Sequence, residues 1–203
     1  MGLRVWTKLL MATRGLSFKF VLNKLPRCDL DIFVDASLEW GIGGCCGEAF
    51  FAYPWSKLKM FEVDIISRRE LLACLVGLCC FQSFVGGKIV TVYSDNQNVV
   101  AWLKKGRSSN LLGMPILAAW ELMKYKLRCK ISPKWLPGWH NNTADALSRG
   151  CIPWWLVRQG RECSCDLYKL AYWIAYAEES WDSILKWRRK PKYDKQYISV
   201  FVS

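Results

Sequence analysis

The sequence predicts an α/β domain whose five-stranded mixed sheet is flanked by helices, and three observations carry that expectation. First, a β-rich run at 30–34 ends on Asp35 and leads through Gly41-Ile42-Gly43-Gly44 into a third apolar run at 49–55, the pattern of a three-stranded antiparallel meander. Second, another β-rich run at 88–94 follows an apolar helical stretch and also ends on an acid, Asp95. Strands joined through a helix lie parallel, so the two acids are expected side by side at one edge of the sheet. Third, 203 residues of which 52% are hydrophobic suffice for one packed core without disulfide or metal staples.

Taken in order, residues 1–28 form a basic N-terminal segment that reads like the tail of something preceding it. The meander occupies 29–56. Ser67-Arg68-Arg69-Glu70 then opens a helix, and Ser67 with Glu70 three residues later fits a capping box, a purely structural reason for that acid. The stretch 71–84 is apolar on nearly all sides and is expected to press against the sheet. Its seventeen uncharged residues from Leu71 to Gly87 fall just short of a membrane span and contain Gln82, Ser83 and three glycines, so a buried helix ending at Gly86-Gly87 is the better fit.

Asp95 precedes Asn96-Gln97-Asn98 and a helix over 97–103, where it fits the N-cap. A basic, glycine-containing loop closes that helix, and Lys104, Lys105 and Arg107 are candidates to meet a phosphate backbone. Helical periodicity returns over 112–127. The run 130–136 suits a strand at the sheet edge, where Pro133 is tolerated. After Pro137-Gly138 a last helix begins at Asn142, and Asp145 falls in its first turn, a favourable place for an acid from the helix dipole alone.

The chain has 29 Lys or Arg against 17 Asp or Glu, a net charge of +12. Six bases and no acid lie in 1–28, thirteen bases against eleven acids in 29–148, and ten against six in 149–203. Basic flanks around a near-neutral middle point to a polyanion, nucleic acid before a membrane surface. The ten cysteines include Cys45-Cys46 in a strand and Cys74, Cys79 and Cys80 in the apolar helix, places for small core side chains rather than a disulfide framework. That usage favours a reducing, intracellular compartment, cytoplasmic or nuclear. Cys151 with Cys163-Ser164-Cys165 lacks paired zinc-ligand spacing, and the sole histidine is His140. No secretory signal is expected, because charges interrupt the first 21 residues.

Four acids, Asp35, Glu70, Asp95 and Asp145, thus stand on successive elements. With FVDAS and GIGG at 33–44, RRELLA at 68–73, YSDNQNVVAWL at 93–103 and WLPGWHNNTADALSRG at 135–150, the stretch 29–150 resembles the ribonuclease H domain of reverse-transcribing elements. The last word is most similar to gypsy-type and DIRS-type retrotransposons, while SNLLG and SDNQNVV are also similar to the hepadnavirus polymerase. The resemblance implies a ribonuclease H-like fold and a metal-dependent endonuclease that cuts the RNA strand of RNA/DNA hybrids, with an upstream reverse transcriptase domain as a candidate partner. It assigns catalysis and metal binding to Asp35, Glu70, Asp95 and Asp145, and His140 no catalytic role.

Four carboxylates suit that chemistry because two hard divalent cations, Mg²⁺ or Mn²⁺, can activate water and stabilise the leaving oxygen, and carboxylate oxygens balance their charge. By the same resemblance Asp35 would bridge both ions, Asp145 would hold the one that activates water, and Glu70 and Asp95 the one facing the leaving oxygen. The glycines of GIGG would let the backbone approach the RNA strand. The rival reading is a nucleic-acid-binding remnant of a retroelement without turnover. Residues 151–203, outside the resemblance, form an aromatic and basic appendage, for which packing on the domain is the common use and base stacking the sharper one.

Overall fold

The computed structural model describes residues 30–61, 63–108 and 111–175. The basic segment 1–28 and the aromatic and basic cluster of Trp181 and Trp187-Arg188-Arg189-Lys190 lie outside the described residues.

A mixed sheet organises the chain. β1 (Leu30–Ala36), β2 (Gly41–Cys46) and β3 (Ala49–Pro54) form the expected antiparallel meander. β4 (Ile89–Ser94) lies parallel to β1, and β5 (Lys130–Trp135) parallel to β4. A sixth strand, β6 (Arg161–Glu162), joins β3 in parallel, so the order is β5-β4-β1-β2-β3-β6. Five strands were expected. Two exposed residues carry no alternation of apolar and polar side chains, and without it no strand is legible. Pro133 sits in β5 at one edge, where its missing N–H has no partner to deprive.

Helix α1 (Ile66–Cys80) covers one face, followed by the short α2 (Gln82–Val85). From Glu70 to Cys80 every residue of α1 is buried, which explains its lack of a polar stripe. Cys74, Cys79 and Cys80 are core side chains there, as Cys45 and Cys46 are in β2. Helix α3 (Gln97–Lys105) follows β4, and α4 (Met114–Leu127) packs beside α1 around the fully buried Trp120. Among the described residues no helix is long and apolar enough to cross a membrane.

The opposite face carries α5 (Asn142–Ser148), which seats Leu147 against Cys45 and Phe50. It is not the last helix. α6 (Trp154–Gln159) adds Leu156 to that cluster, and a further helical stretch over 167–175 buries Leu170, with Leu167, Ala171 and Ile174 against the main core. Residues 151–175 therefore extend the sheet and core begun before residue 150.

A close approach between the two layers fixes the surroundings of Asp35. Gly43 pairs with Asp35 across the β1–β2 ladder, and a Cβ at Gly43 would lie 2.4 Å from the backbone nitrogen of Ser148. The end of α5 thus rests directly on the strand backbone beside Asp35, which only glycine permits. All of β2 is buried by protein, Gly41 lying against Tyr53 and Gly44 against Phe51 and Phe33, so these glycines serve close packing within the protein rather than the expected approach to an RNA strand.

Candidate metal centre

Three acidic side chains, Asp35, Glu70 and Asp95, meet where β1 and β4 end, and Asp145 lines the same cleft. Ile32 and Phe33 pair with Val92 and Tyr93, and following both chains two residues further brings Asp35 level with Asp95. Asp35 is buried within β1, while Asp95 is the half-buried residue just beyond β4. Glu70, in the second turn of α1, is 3% exposed and spans both strand ends. Its Oε1 accepts from the Ala36 N–H at 3.3 Å and its Oε2 from the Ser94 hydroxyl at 3.4 Å.

One carboxylate oxygen from each of Asp35, Glu70 and Asp95 lies within 4.8 Å of the other two. Asp145 lines the same open cleft of about 440 Å³ but stands outside that trio. It sits in the first turn of α5 and pairs with Arg149 at 2.8 Å.

The structural duties that the sequence offered to two of these acids are taken by other groups. Helix α1 starts at Ile66 after an extended Ile65, so Ser67 is already inside the helix and Glu70 stands two residues too deep to close a capping box. Asn96, rather than Asp95, caps α3, its Oδ1 accepting from the N–H groups of Asn98 and Val99. Both acids are left facing the cleft.

Electrostatics follow from this crowding. Burial pushes Asp35 up to about 6, the Ser148 hydroxyl opposes that rise, and the charges of Asp95 and Asp145 add to it. Burial, then Asp35 and Asp95, hold Glu70 well above the ordinary glutamate range. Asp95 is raised as well, by burial and then by Asp145 against its own backbone N–H. Like charges held this close in a half-dry site favour either protons or a cation. The donor set is oxygen only, which suits a hard divalent cation. The cluster can hold a metal ion.

No family model and no curated protein matches the chain.

Several supporting residues were not singled out from the sequence. Ser148, fully buried, donates its hydroxyl to Asp35 Oδ2 at 2.6 Å and also faces the Asp145 carbonyl at 2.8 Å. Its own carbonyl accepts from the Ser37 hydroxyl at 2.7 Å, and Ser37 Oγ in turn accepts from the N–H groups of Trp40 and Gly41. Asn141 donates from Nδ2 to the Val34 carbonyl at 2.9 Å. Together these fasten both ends of α5 to β1 on either side of Asp35. The words HNNTADALSR contain all but Ser37 of this set, yet nothing in the sequence says which strand they reach.

Lys104, Lys105 and Arg107 are exposed and line no part of the cleft. α3 starts at the cleft and runs away from it, so the lysines stand about 10 Å along its axis. His140 is exposed in the turn Gly138–His140, near the cleft but outside its lining.

Proposed function

We propose that the chain is a metal-dependent endonuclease of the ribonuclease H type, hydrolysing the RNA strand of RNA/DNA hybrids as part of a reverse-transcribing element. The observation that carries this reading is the meeting of Asp35, Glu70 and Asp95 within 4.8 Å, with Asp145 on the same cleft. A sheet in which β1 lies between an antiparallel β2 and a parallel β4, with β5 outside β4, supports the ribonuclease H-like fold.

Asp35 is taken as the shared ligand, because a carboxylate oxygen of it lies within 4.8 Å of those of Glu70 and Asp95 and its Oδ2 is held by Ser148 of α5, the helix that carries Asp145. Glu70 and Asp95 would complete one set of oxygens and Asp145 the other. Divalent magnesium or manganese held there would supply the activated water and the stabilisation of the leaving oxygen. Ser148 holds Asp35 in place and favours its ionised form. Asp145 has to leave Arg149 to join, and an exposed pair of this kind contributes little to stability. Arg149 is then free for a phosphate. Glu70 beside the 2′-hydroxyl would distinguish RNA from DNA.

The test is incubation of the purified protein with an end-labelled hybrid and magnesium. Cutting of the RNA strand alone, absent with EDTA and in the Asp35→Asn and Asp95→Asn variants, is the expected result. One observation favours a second reading, a binder without turnover: Asp145 lies outside the trio and is engaged by Arg149. Hybrid binding with no magnesium-dependent cutting would select that reading.

A further inference from the structure

The mouth of the cleft carries an aromatic strip that the acids do not use. β5 is the edge strand, and its end, Lys134-Trp135, runs through a turn to Asp95's side of the cleft. Trp135 donates its indole N–H to the Asp95 carbonyl at 2.8 Å, which fixes the ring there with 44% of it exposed. Gly138 abuts the acid itself, since a Cβ on it would lie 3.2 Å from Asp95 Oδ2. One residue on, Trp139 is 73% exposed, its ring 6.1 Å from that of His140. Lys134 is exposed, with Nζ 5.9 Å from the Tyr93 ring.

An indole is the largest apolar side chain, and leaving it in water forfeits more burial than any other. Other indoles are covered, Trp120 fully buried, Trp173 packed on the core and Trp55 under Arg69; Trp154 is as exposed as Trp139, but of the two only Trp139 stands next to a residue that abuts one of the acids. A flat apolar face beside an acid cluster, flanked by a cation, matches a polynucleotide. Every nucleotide offers a π-face, and each phosphate needs a positive group to offset nearby carboxylates.

The geometry points to Trp139, in the turn that follows Lys134 and Trp135, as the surface on which a polynucleotide strand rests as it passes the acids, one unpaired base lying on the Trp139 indole. This rests on the nuclease reading for the kind of ligand and goes beyond it in naming where the strand is gripped. A salt-dependent phosphate contact belongs to Lys134, and a salt-independent stacking contact to Trp139.

The experiment measures fluorescence anisotropy of a labelled RNA/DNA hybrid with a single-stranded overhang, bound to the full chain in calcium to slow hydrolysis, across a salt series. Trp139→Ala should weaken binding roughly 5- to 150-fold with an unchanged salt slope, and Trp139→Phe should recover most of the loss. Lys134→Ala should lower the salt slope by about one. Trp154, on α6, is also 73% exposed, but its ring lies beside Arg158 and not in the turn that abuts Asp95, so Trp154→Ala is the matched control and should bind like the wild type. Wild-type affinity in Trp139→Ala, or an equal loss in Trp154→Ala, overturns the assignment. If the wild type cuts the hybrid while Trp139→Ala binds normally, this inference alone falls; if the wild type neither binds nor cuts, the nuclease reading falls with it.

Discussion

Replacing Asp35 by asparagine should make the metal-free protein more stable, which is the reverse of what most changes at a buried hydrogen-bonded residue do. Asp35 is raised from 3.8 to about 6 in the folded chain. The folded state therefore binds more protons than the unfolded state between those values, and stability is greatest below 3.8 and falls as pH climbs through 6. At pH 7.5 the whole cost is present, about 3 kcal/mol for a shift of roughly two units. Asparagine keeps the shape and an oxygen that can accept from Ser148, but removes the charge. For a chain of this size Asp35→Asn should raise Tm in EDTA by about 6–12 °C at pH 7.5. Little change is expected near pH 4, where the wild-type carboxyl is largely protonated. Magnesium at saturation should reverse the ranking, since a cation at about a thousand times its Kd stabilises the wild type by about 4.1 kcal/mol and should leave the variant unmoved. The assay is thermal unfolding followed by circular dichroism at the two pH values, with and without magnesium. A lower Tm for Asp35→Asn in EDTA at pH 7.5, or an equal magnesium shift in both proteins, would refute the reasoning.

Other expectations rest on the same geometry. Ser148→Ala removes a charge-assisted bond of 2.6 Å that holds Asp35 and favours its ionised form, so the variant should bind magnesium about tenfold more weakly near pH 7; isothermal titration calorimetry measures this, and Ser148→Thr should restore it. Gly43→Ala places a Cβ into the backbone at Ser148; it should cost about 1–3 kcal/mol on urea unfolding as overpacking and weaken magnesium binding as well, whereas a purely local loss of stability would leave metal affinity intact. Because Asp35 and Glu70 are both raised, cation binding near pH 6 should release protons, seen as a binding enthalpy that changes with buffer ionisation heat; independence of buffer would contradict it.

Much of the fold was legible because its signals are local. Asp35 and Asp95 end β-rich runs, and a helix between those runs makes them parallel neighbours, which suffices to bring the acids together. Glu70 was harder to place, since Ser67-x-x-Glu70 reads as a cap. The helix instead starts at Ile66, two residues earlier than the capping box requires, after an extended Ile65 with no side-chain cap. At Asp95 the adjacent Asn96 offered an equally good cap and took it. The helical stretch over 167–175, with Leu167, Leu170, Ala171 and Ile174 at helical spacing, reads in the sequence only as part of an aromatic and basic appendage, for which packing on the domain is the commoner use. Ser148 was not readable at all: a serine in a short helix gains its role only when Gly43, more than a hundred residues earlier, lets the helix down onto the strand.

The most direct measurement is anomalous diffraction from crystals soaked in manganese, which locates the ion independently of activity. Density coordinated by carboxylate oxygens of Asp35, Glu70 and Asp95, lost in Asp35→Asn crystals, is the expected result. Saturating manganese that leaves this cleft empty, or settles on other residues, would contradict the metal centre and the chemistry built upon it.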